Sequence, residues 1–117
     1  MKIAEVVTLL NAEVLYGNDL LNVEVESGCG SDMMSDVLAF VKDRAVMLTG
    51  LVNPQTIRTA EMMDIKCVVF IRGKNPSEMI LQLAEEKGIA VLKTAHGMYS
   101  SCGILYAAGL RSDGSAL

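Results

Sequence analysis

The only histidine of the chain, His96, lies in a segment rich in groups that could do chemistry, VLKTAHGMYSSCGILYAAG (residues 91–109). A cysteine with a histidine as its base is the pair that nucleophilic catalysis uses, and Cys102 follows His96 closely. An activated cysteine, however, usually stands at a helix start, where its thiolate is stabilised. We predict a helix from Gly97 to Ala108, which puts Cys102 more than one turn inside it. The segment therefore predicts no catalytic residue and leaves His96 in the preceding loop.

The predicted helix places Cys102 on one helical face with three other residues. The spacing i, i+3, i+4 and i+7 is shared by Tyr99, Cys102, Gly103 and Tyr106. This spacing predicts that the stripe faces the core and that Cys102 is a small buried side chain, the commoner role of cysteine. A small enzyme that uses His96 with a neighbouring serine, threonine or cysteine is kept as the alternative.

A metal site would require the other cysteines to converge with His96. Cys29 follows a predicted strand, whereas Cys67 begins one. A parallel sheet places such positions at opposite ends, and the chain has no Cys-x-x-Cys pair, so we predict no metal and no cofactor. Three widely spaced cysteines are also a poor disulfide framework, which favours a reducing, cytoplasmic location.

Four polar loops are predicted to connect a strand to a following helix: GCGSD (28–32), TGLVN (49–53), RGKN (72–75) and KTAHG (93–97). Such loops meet at the carboxyl edge of a parallel sheet, where ligands bind, and the N–H groups of the helix starts attract anions. The candidate anion-binding residues are Thr49, Gly50, Arg72, Lys74, Lys93, Thr94 and His96. The alternative, that these are ordinary polar loops with solvated charges, stays open.

The elements that must position these loops follow from the hydrophobic pattern. The predicted helices span residues 2–10, 31–41, 53–63, 75–88 and 97–108, with Asn53 and Asn75 as N-caps. The predicted strands span residues 13–16, 23–27, 45–49, 67–71 and 89–93, and the second is half-exposed near a sheet edge. This alternation predicts a single α/β domain with a mainly parallel sheet and helices on both faces. The domain is predicted at residues 1–110, before a flexible C-terminal tail at 111–117.

Composition restricts the function classes. A chain of 117 residues with 51% hydrophobic residues suits one domain with a substantial core. The net charge of −4 argues against nucleic acid as the main partner. The longest uncharged run falls short of the roughly 20 residues that span a bilayer, so no membrane association is predicted. The chain also lacks a G-x-x-x-x-G-K-[ST] motif, so it encodes no P-loop for phosphoryl transfer.

The segment SDMMSDVLAFV (31–41) is apolar around most of its helical circumference. A helix of this kind is buried on more than one side, which in a short chain indicates a subunit interface. The interface candidates are Met33, Met34, Val37 and Phe40. A helix lodged deep in the domain's own core explains the pattern equally well.

Several stretches taken together resemble the DRTGG domain family: VESGCGSDMMSDVLAFV, AVMLTGLVNPQTIRTAEMMDIKCVVFIRGKNPSEMI and AEEKGIAVLKTAHGMYSSCGILYAAGL. They are also similar to the N-terminal domain of HPr kinase/phosphorylase. The resemblance implies an α/β domain with an HPr kinase N-terminal-like fold, commonly dimeric or fused to other modules, and a regulatory role. Stand-alone relatives are described as HPr serine kinase-like regulatory proteins, and the kinase activity of larger relatives belongs to a separate P-loop domain.

These observations favour a non-catalytic regulatory or small-ligand-sensing domain that acts through self-association or protein partners. We expect a homodimer, a small anionic or nucleotide ligand and a protein partner. The first alternative is a small enzyme with an anion-binding site at the strand carboxyl ends. The second is an assembly domain that binds only proteins.

Overall fold

The computed structural model describes residues 1–41 and 44–113. Its helices are α1 (Ile3–Leu10), α2 (Met34–Phe40), α3 (Pro54–Met62), α4 (Glu78–Lys87) and α5 (Met98–Ala107). Its strands are β1 (Glu13–Tyr16), β2 (Ser27–Gly30), β3 (Ala45–Thr49), β4 (Cys67–Phe70) and β5 (Ala90–Lys93). A short 3-10 helix, Asn18–Leu20, follows β1.

The five strands form one sheet in the order β1-β5-β4-β3-β2. Strands β2 to β5 are parallel, and β1 is antiparallel to β5 at one edge. The predicted mainly parallel sheet is therefore confirmed. Gly30 pairs with Leu48, and Phe70 pairs with both Thr49 and Lys93. The carboxyl ends of the four parallel strands are thus level, which brings their following loops together.

The helices lie on both faces of the sheet, as predicted. From β2 to β5 the chain moves one strand at a time in the same direction, and right-handed crossovers then place α2, α3 and α4 on one face. Side chains of these three helices pack with Met47, Val68 and Phe70. On the other face, α1 and α5 pack against Val46 and Leu48, among others. The loops after β4 and β5 therefore leave the sheet toward opposite faces. The carboxyl edge between these two strands is thus the topological switch point.

The predicted strand at 23–27 is misplaced, because β2 begins only at Ser27. Within the described chain, residues 23–25 pair with the start of the chain instead. The N–H of Ile3 donates to the carbonyl of Val23 at 3.0 Å, and the N–H of Val25 donates to the carbonyl of Met1 at 2.7 Å. The alternating valines thus reflect packing beside α1 rather than a place in the main sheet.

The helix starts follow local capping chemistry, with two corrections. Asn53 caps α3 as predicted, since its Oδ1 accepts from the N–H of Gln55 at 2.8 Å. For α4 the cap is Ser77, whose Oγ accepts from the N–H of Ile80, and not Asn75. The predicted helix at 31–41 begins only at Met34, because Ser31 Oγ accepts from the N–H of Met33 in a tight turn.

The predicted core-facing stripe of α5 is wrong for both tyrosines. Tyr99 is 90% exposed and Tyr106 58% exposed, whereas Ser101 and Leu105 form the buried face. The helix has apolar residues on every side, so the spacing of its residues could not show which face packs on the sheet. Cys102 is half-buried, as an adjacent position on the helix requires.

The helix α2 divides its apolar side chains between core and solvent. Met34 and Val37 are buried against the sheet, so they are not available to a second subunit. Met33 and Phe40 are 61% and 77% exposed. Burial thus corrects the assignment of Met34 and Val37 to an interface, whereas an interface at Met33 and Phe40 stays a prediction.

The domain extends past its predicted end at residue 110. Arg111, assigned to the flexible tail, is 7% exposed, and its carbonyl accepts from the N–H of Gly28 at 3.0 Å. Its guanidinium also lies 3.7 Å from the ring centre of Tyr106. The remainder of the predicted tail, residues 114–117, lies outside the described residues.

Candidate functional site

The loops after β4 and β5 are joined by backbone hydrogen bonds. The N–H of Arg72 donates to the carbonyl of His96, and the N–H of Gly73 donates to the carbonyl of Thr94, both at 2.8 Å. Arg72 and Gly73 have φ angles of 58° and 65°, so the chain turns through two consecutive left-handed residues. This turn directs the chain from β4 across the end of β5.

The Arg72 side chain lies against the start of α5. A Cβ atom at Gly97 would be 3.7 Å from Arg72 Nε and 3.8 Å from Nη2, which places the guanidinium in van der Waals range of this position. Gly97 is also the N-cap of α5 and offers no side-chain oxygen to the first amides of the helix. The guanidinium and the positive end of the helix dipole therefore meet at one point, where both favour an anion.

His96 lies beside this point, in the residue before the N-cap. Its imidazole is exposed, as is the side chain of Arg72. Within residues 1–41 and 44–113, neither side chain forms an ion pair or a hydrogen bond with the protein. Two exposed donors thus flank the start of α5 and are free to contact a ligand.

A second polar cluster lies at the end of β3. Asp32 Oδ1 accepts from the N–H of Gly50 at 2.6 Å and from Thr49 Oγ1 at 3.2 Å. Lys74 Nζ donates to the carbonyl of Gly50 at 2.8 Å. Three of the predicted residues therefore do meet: Thr49 and Gly50 donate to the Asp32 carboxylate, and Lys74 donates to the Gly50 carbonyl. The sequence interpretation overlooked Asp32 as a site residue, although its place in the first polar loop was a usable signal.

Two of the predicted residues have structural roles elsewhere. Thr94 is buried, and its Oγ1 donates to the carbonyl of Leu10 at 2.8 Å, which ties β5 to α1. Lys93 Nζ donates to Asn75 Oδ1 at 2.8 Å and lies 3.8 Å from Glu13 Oε2. Neither side chain belongs to the exposed cluster of Arg72 and His96.

The cysteines lack the features of an activated nucleophile. Burial raises the pKa of Cys102, and its Sγ lies 3.7 Å from Met98 Sδ. Burial raises the pKa of Cys29, with smaller contributions from Cys102 and Asp36. A raised pKa reduces the thiolate population that nucleophilic attack requires. No cluster of three or more His, Cys, Asp or Glu residues suited to a metal ion occurs in the described part of the chain.

The third thiol leads to a prediction about alkaline stability. Burial raises the pKa of Cys67 from an ordinary value of 9.0 to about 12. The neutral thiol therefore contributes stability below pH 9, which is lost as pH rises toward 12, at about 1.4 kcal/mol per pH unit. Urea unfolding from pH 8 to pH 10.5 should show little change from this thiol up to about pH 9 and this slope above it in wild type, but not in Cys67→Ala. Parallel pH curves for the two proteins would contradict the prediction.

None of the helices within residues 1–41 and 44–113 has the length and apolar character needed to cross a bilayer.

The fold and the polar loops define a mainly parallel α/β domain with donor groups gathered at the carboxyl edge of its sheet. The family model of the DRTGG domain matches residues 5–108, and the chain therefore belongs to the DRTGG domain family. This confirms the resemblance found in the sequence. The similarity to the N-terminal domain of HPr kinase/phosphorylase stays a prediction.

One solved structure shares the fold across 99% of this chain at 14% sequence identity, with a TM-score of 0.70. It comprises the CBS and DRTGG domains of the regulatory region of Clostridium perfringens pyrophosphatase, in complex with the activator diadenosine tetraphosphate. The present chain spans 50% of that chain. No curated protein matches the sequence.

Proposed function

We propose that this protein is a non-catalytic regulatory domain that senses a small anionic ligand, of the class of phosphorylated nucleotides and metabolites. The ligand binds at the switch point between β4 and β5. The observation that carries this proposal is the position of the Arg72 guanidinium against Gly97, at the uncapped start of α5. A phosphate placed there receives backbone N–H donors from the helix and a bidentate contact from arginine.

The charge pattern supports this location. The protein as a whole carries a net charge of −4, so a local concentration of donors is needed to attract an anion. Arg72 and Lys74 lie on one loop, and His96 lies on the next. Because Arg72 and His96 make no ion pair within the described chain, a ligand anion need not displace a carboxylate from them.

The shared fold with the pyrophosphatase regulatory region supports the regulatory role. That region is in complex with a phosphate-rich activator. The proposal takes from it only the class of function, regulation by a phosphorylated ligand. At 14% identity, the ligand contacts of that protein do not transfer to this chain. The alternative enzymatic role receives less support, since the thiol nearest His96 in sequence has a raised pKa.

Self-association is the second part of the proposal. The outward face of α2 presents Met33 and Phe40 to solvent, and a second copy of the chain or a protein partner would cover them. We place this regulatory domain in the cytoplasm, as the three free cysteines predict.

Thermal unfolding with candidate ligands tests the proposal. Pyrophosphate, ATP and diadenosine tetraphosphate are each added at 1 mM and compared with sodium chloride of equal ionic strength. A ligand present at 100 times its Kd stabilises the native state by about 2.7 kcal/mol, which shifts Tm by roughly 8 °C or more. We expect such a shift in wild type with at least one of these ligands, and its loss in Arg72→Ala.

The matched control is Arg58→Ala, which removes an exposed arginine on α3 with the same change of charge. It should keep the ligand-dependent shift of wild type. An equal reduction in both variants would mean that only general charge matters. The absence of any shift in wild type at millimolar ligand would remove the support for ligand sensing.

A further inference from the structure

We propose that the loop after β3 is a second anion subsite, selective for a phosphoryl group, which the protein's own Asp32 fills in the absence of ligand. The inference rests on the proposed function for its premise that this sheet edge binds anions. It adds a second position and an internal competitor that the ligand must displace.

The contacts of Asp32 are those expected of a bound oxyanion. Its Oδ1 accepts from the backbone N–H of Gly50 at 2.6 Å and from the hydroxyl of Thr49 at 3.2 Å. Both carboxylate oxygens and Lys74 Nζ lie 3.4 Å from the position of a Cβ atom on Gly50. A backbone N–H and a hydroxyl thus hold one carboxylate oxygen, and the Lys74 ammonium lies nearby, bonded to the Gly50 carbonyl, without an ion pair to Asp32.

Asp32 can leave this position without unfolding the domain. It is exposed and lies in the loop between β2 and α2, outside any helix or strand. Thr49 and Gly50, by contrast, are buried at the end of a central strand. The fold therefore fixes the two donors, the Thr49 hydroxyl and the Gly50 N–H. The carboxylate that accepts from them belongs to a surface loop.

A tethered carboxylate competes at an effective concentration that for short connections is in the millimolar range. A free phosphate at similar concentration therefore fills the subsite poorly in wild type. A phosphoryl group carries more charge and more acceptor oxygens than a carboxylate, so it binds well once Asp32 is removed. Competition from the Asp32 carboxylate raises the ligand concentration needed to fill this subsite. This favours ligands that Arg72 binds at the same time.

The test is a titration with sodium pyrophosphate, followed through the backbone amides by ¹H–¹⁵N NMR. In Asp32→Ala, we expect the Gly50 amide to shift saturably, with a midpoint at least about tenfold lower than in wild type. Adding Lys74→Ala to this variant should abolish the gain. The matched control, Asp36→Ala, removes an exposed acid of α2 and should behave as wild type.

The outcomes separate this inference from the proposed function. Shifts at Gly97 and Met98 without a gain at Gly50 in Asp32→Ala would overturn the inference while supporting the first site. A gain at Gly50 with no response at Gly97 would support the second subsite alone. An equal gain in Asp36→Ala would also overturn the inference, since it would reflect net charge. If Asp32→Ala fails to fold, Asp32→Gly replaces it, and an unchanged Gly50 response there counts against the inference.

Discussion

Replacing Phe70 by alanine is expected to lower the free energy of unfolding by about 3–5 kcal/mol. Phe70 is fully buried in β4, the middle strand of the sheet, and packs in the cluster beneath α2, α3 and α4. Removing the ring loses the hydrophobic free energy of its burial. It also leaves a cavity that the surrounding strand and helices cannot fully close. Domains of this size have about 5–15 kcal/mol of stability, so this variant should lose a large part of it.

Urea unfolding of wild type and Phe70→Ala at 25 °C measures this loss. Phe40→Ala is the matched control, because it makes the same substitution at a side chain that is 77% exposed. It should change the stability of the monomer by less than about 0.5 kcal/mol. Comparable losses in the two variants would contradict the assignment of core and surface. A loss in Phe40→Ala that appears only at high protein concentration would instead indicate self-association through α2.

Replacing Gly17 by alanine should have the second largest effect, a loss of about 2–5 kcal/mol from backbone strain and overpacking together. Gly17 follows β1 with a φ of 106°. An added Cβ atom would lie 2.9 Å from both the Cα and the Cβ of Ala90 in β5. Backbone would have to move to relieve this contact, and the antiparallel edge of the sheet would move with it.

Gly109 provides a control that separates the two causes. It has the same φ of 106°, but an added Cβ atom meets nothing within 4 Å. Gly109→Ala should therefore show the strain alone, about 1–2 kcal/mol. We expect Gly17→Ala to exceed it by about 1–3 kcal/mol in urea unfolding. Equal losses would mean that the close approach to Ala90 does not constrain the sheet edge.

The elements with strong local signals were predictable from the sequence. The runs AVMLT and CVVF are buried at every position, which is why they contain no polar alternation. The cap of α3 was found because Asn53 and Pro54 act on the helix start directly beside them. The cap of α4 was missed because Asn75 is equally suited by type, and a lysine of the neighbouring strand, Lys93, engages it instead.

The sequence predicted where the candidate site lies but only some of the residues that form it. The carboxyl edge follows from the alternation of strands and helices, so Arg72 and His96 could be assigned to it from their loops. Thr94 and Lys93 had the same local context, yet their partners are the carbonyl of Leu10 and the oxygens of Asn75 and Glu13. Sequence position does not distinguish a side chain that faces a ligand from one that joins two elements.

The sequence by itself determined the class of fold, the loops that reach one edge of the sheet and the absence of a P-loop motif. These follow from hydrophobic periodicity, capping residues and motif spacing, which act over a few neighbouring residues. The tertiary structure alone decided that Asp32 meets Gly50, 18 residues later, and that Arg72 crosses to Gly97. Such pairs depend on strand order and register, which are set by how the whole chain buries both faces of its sheet.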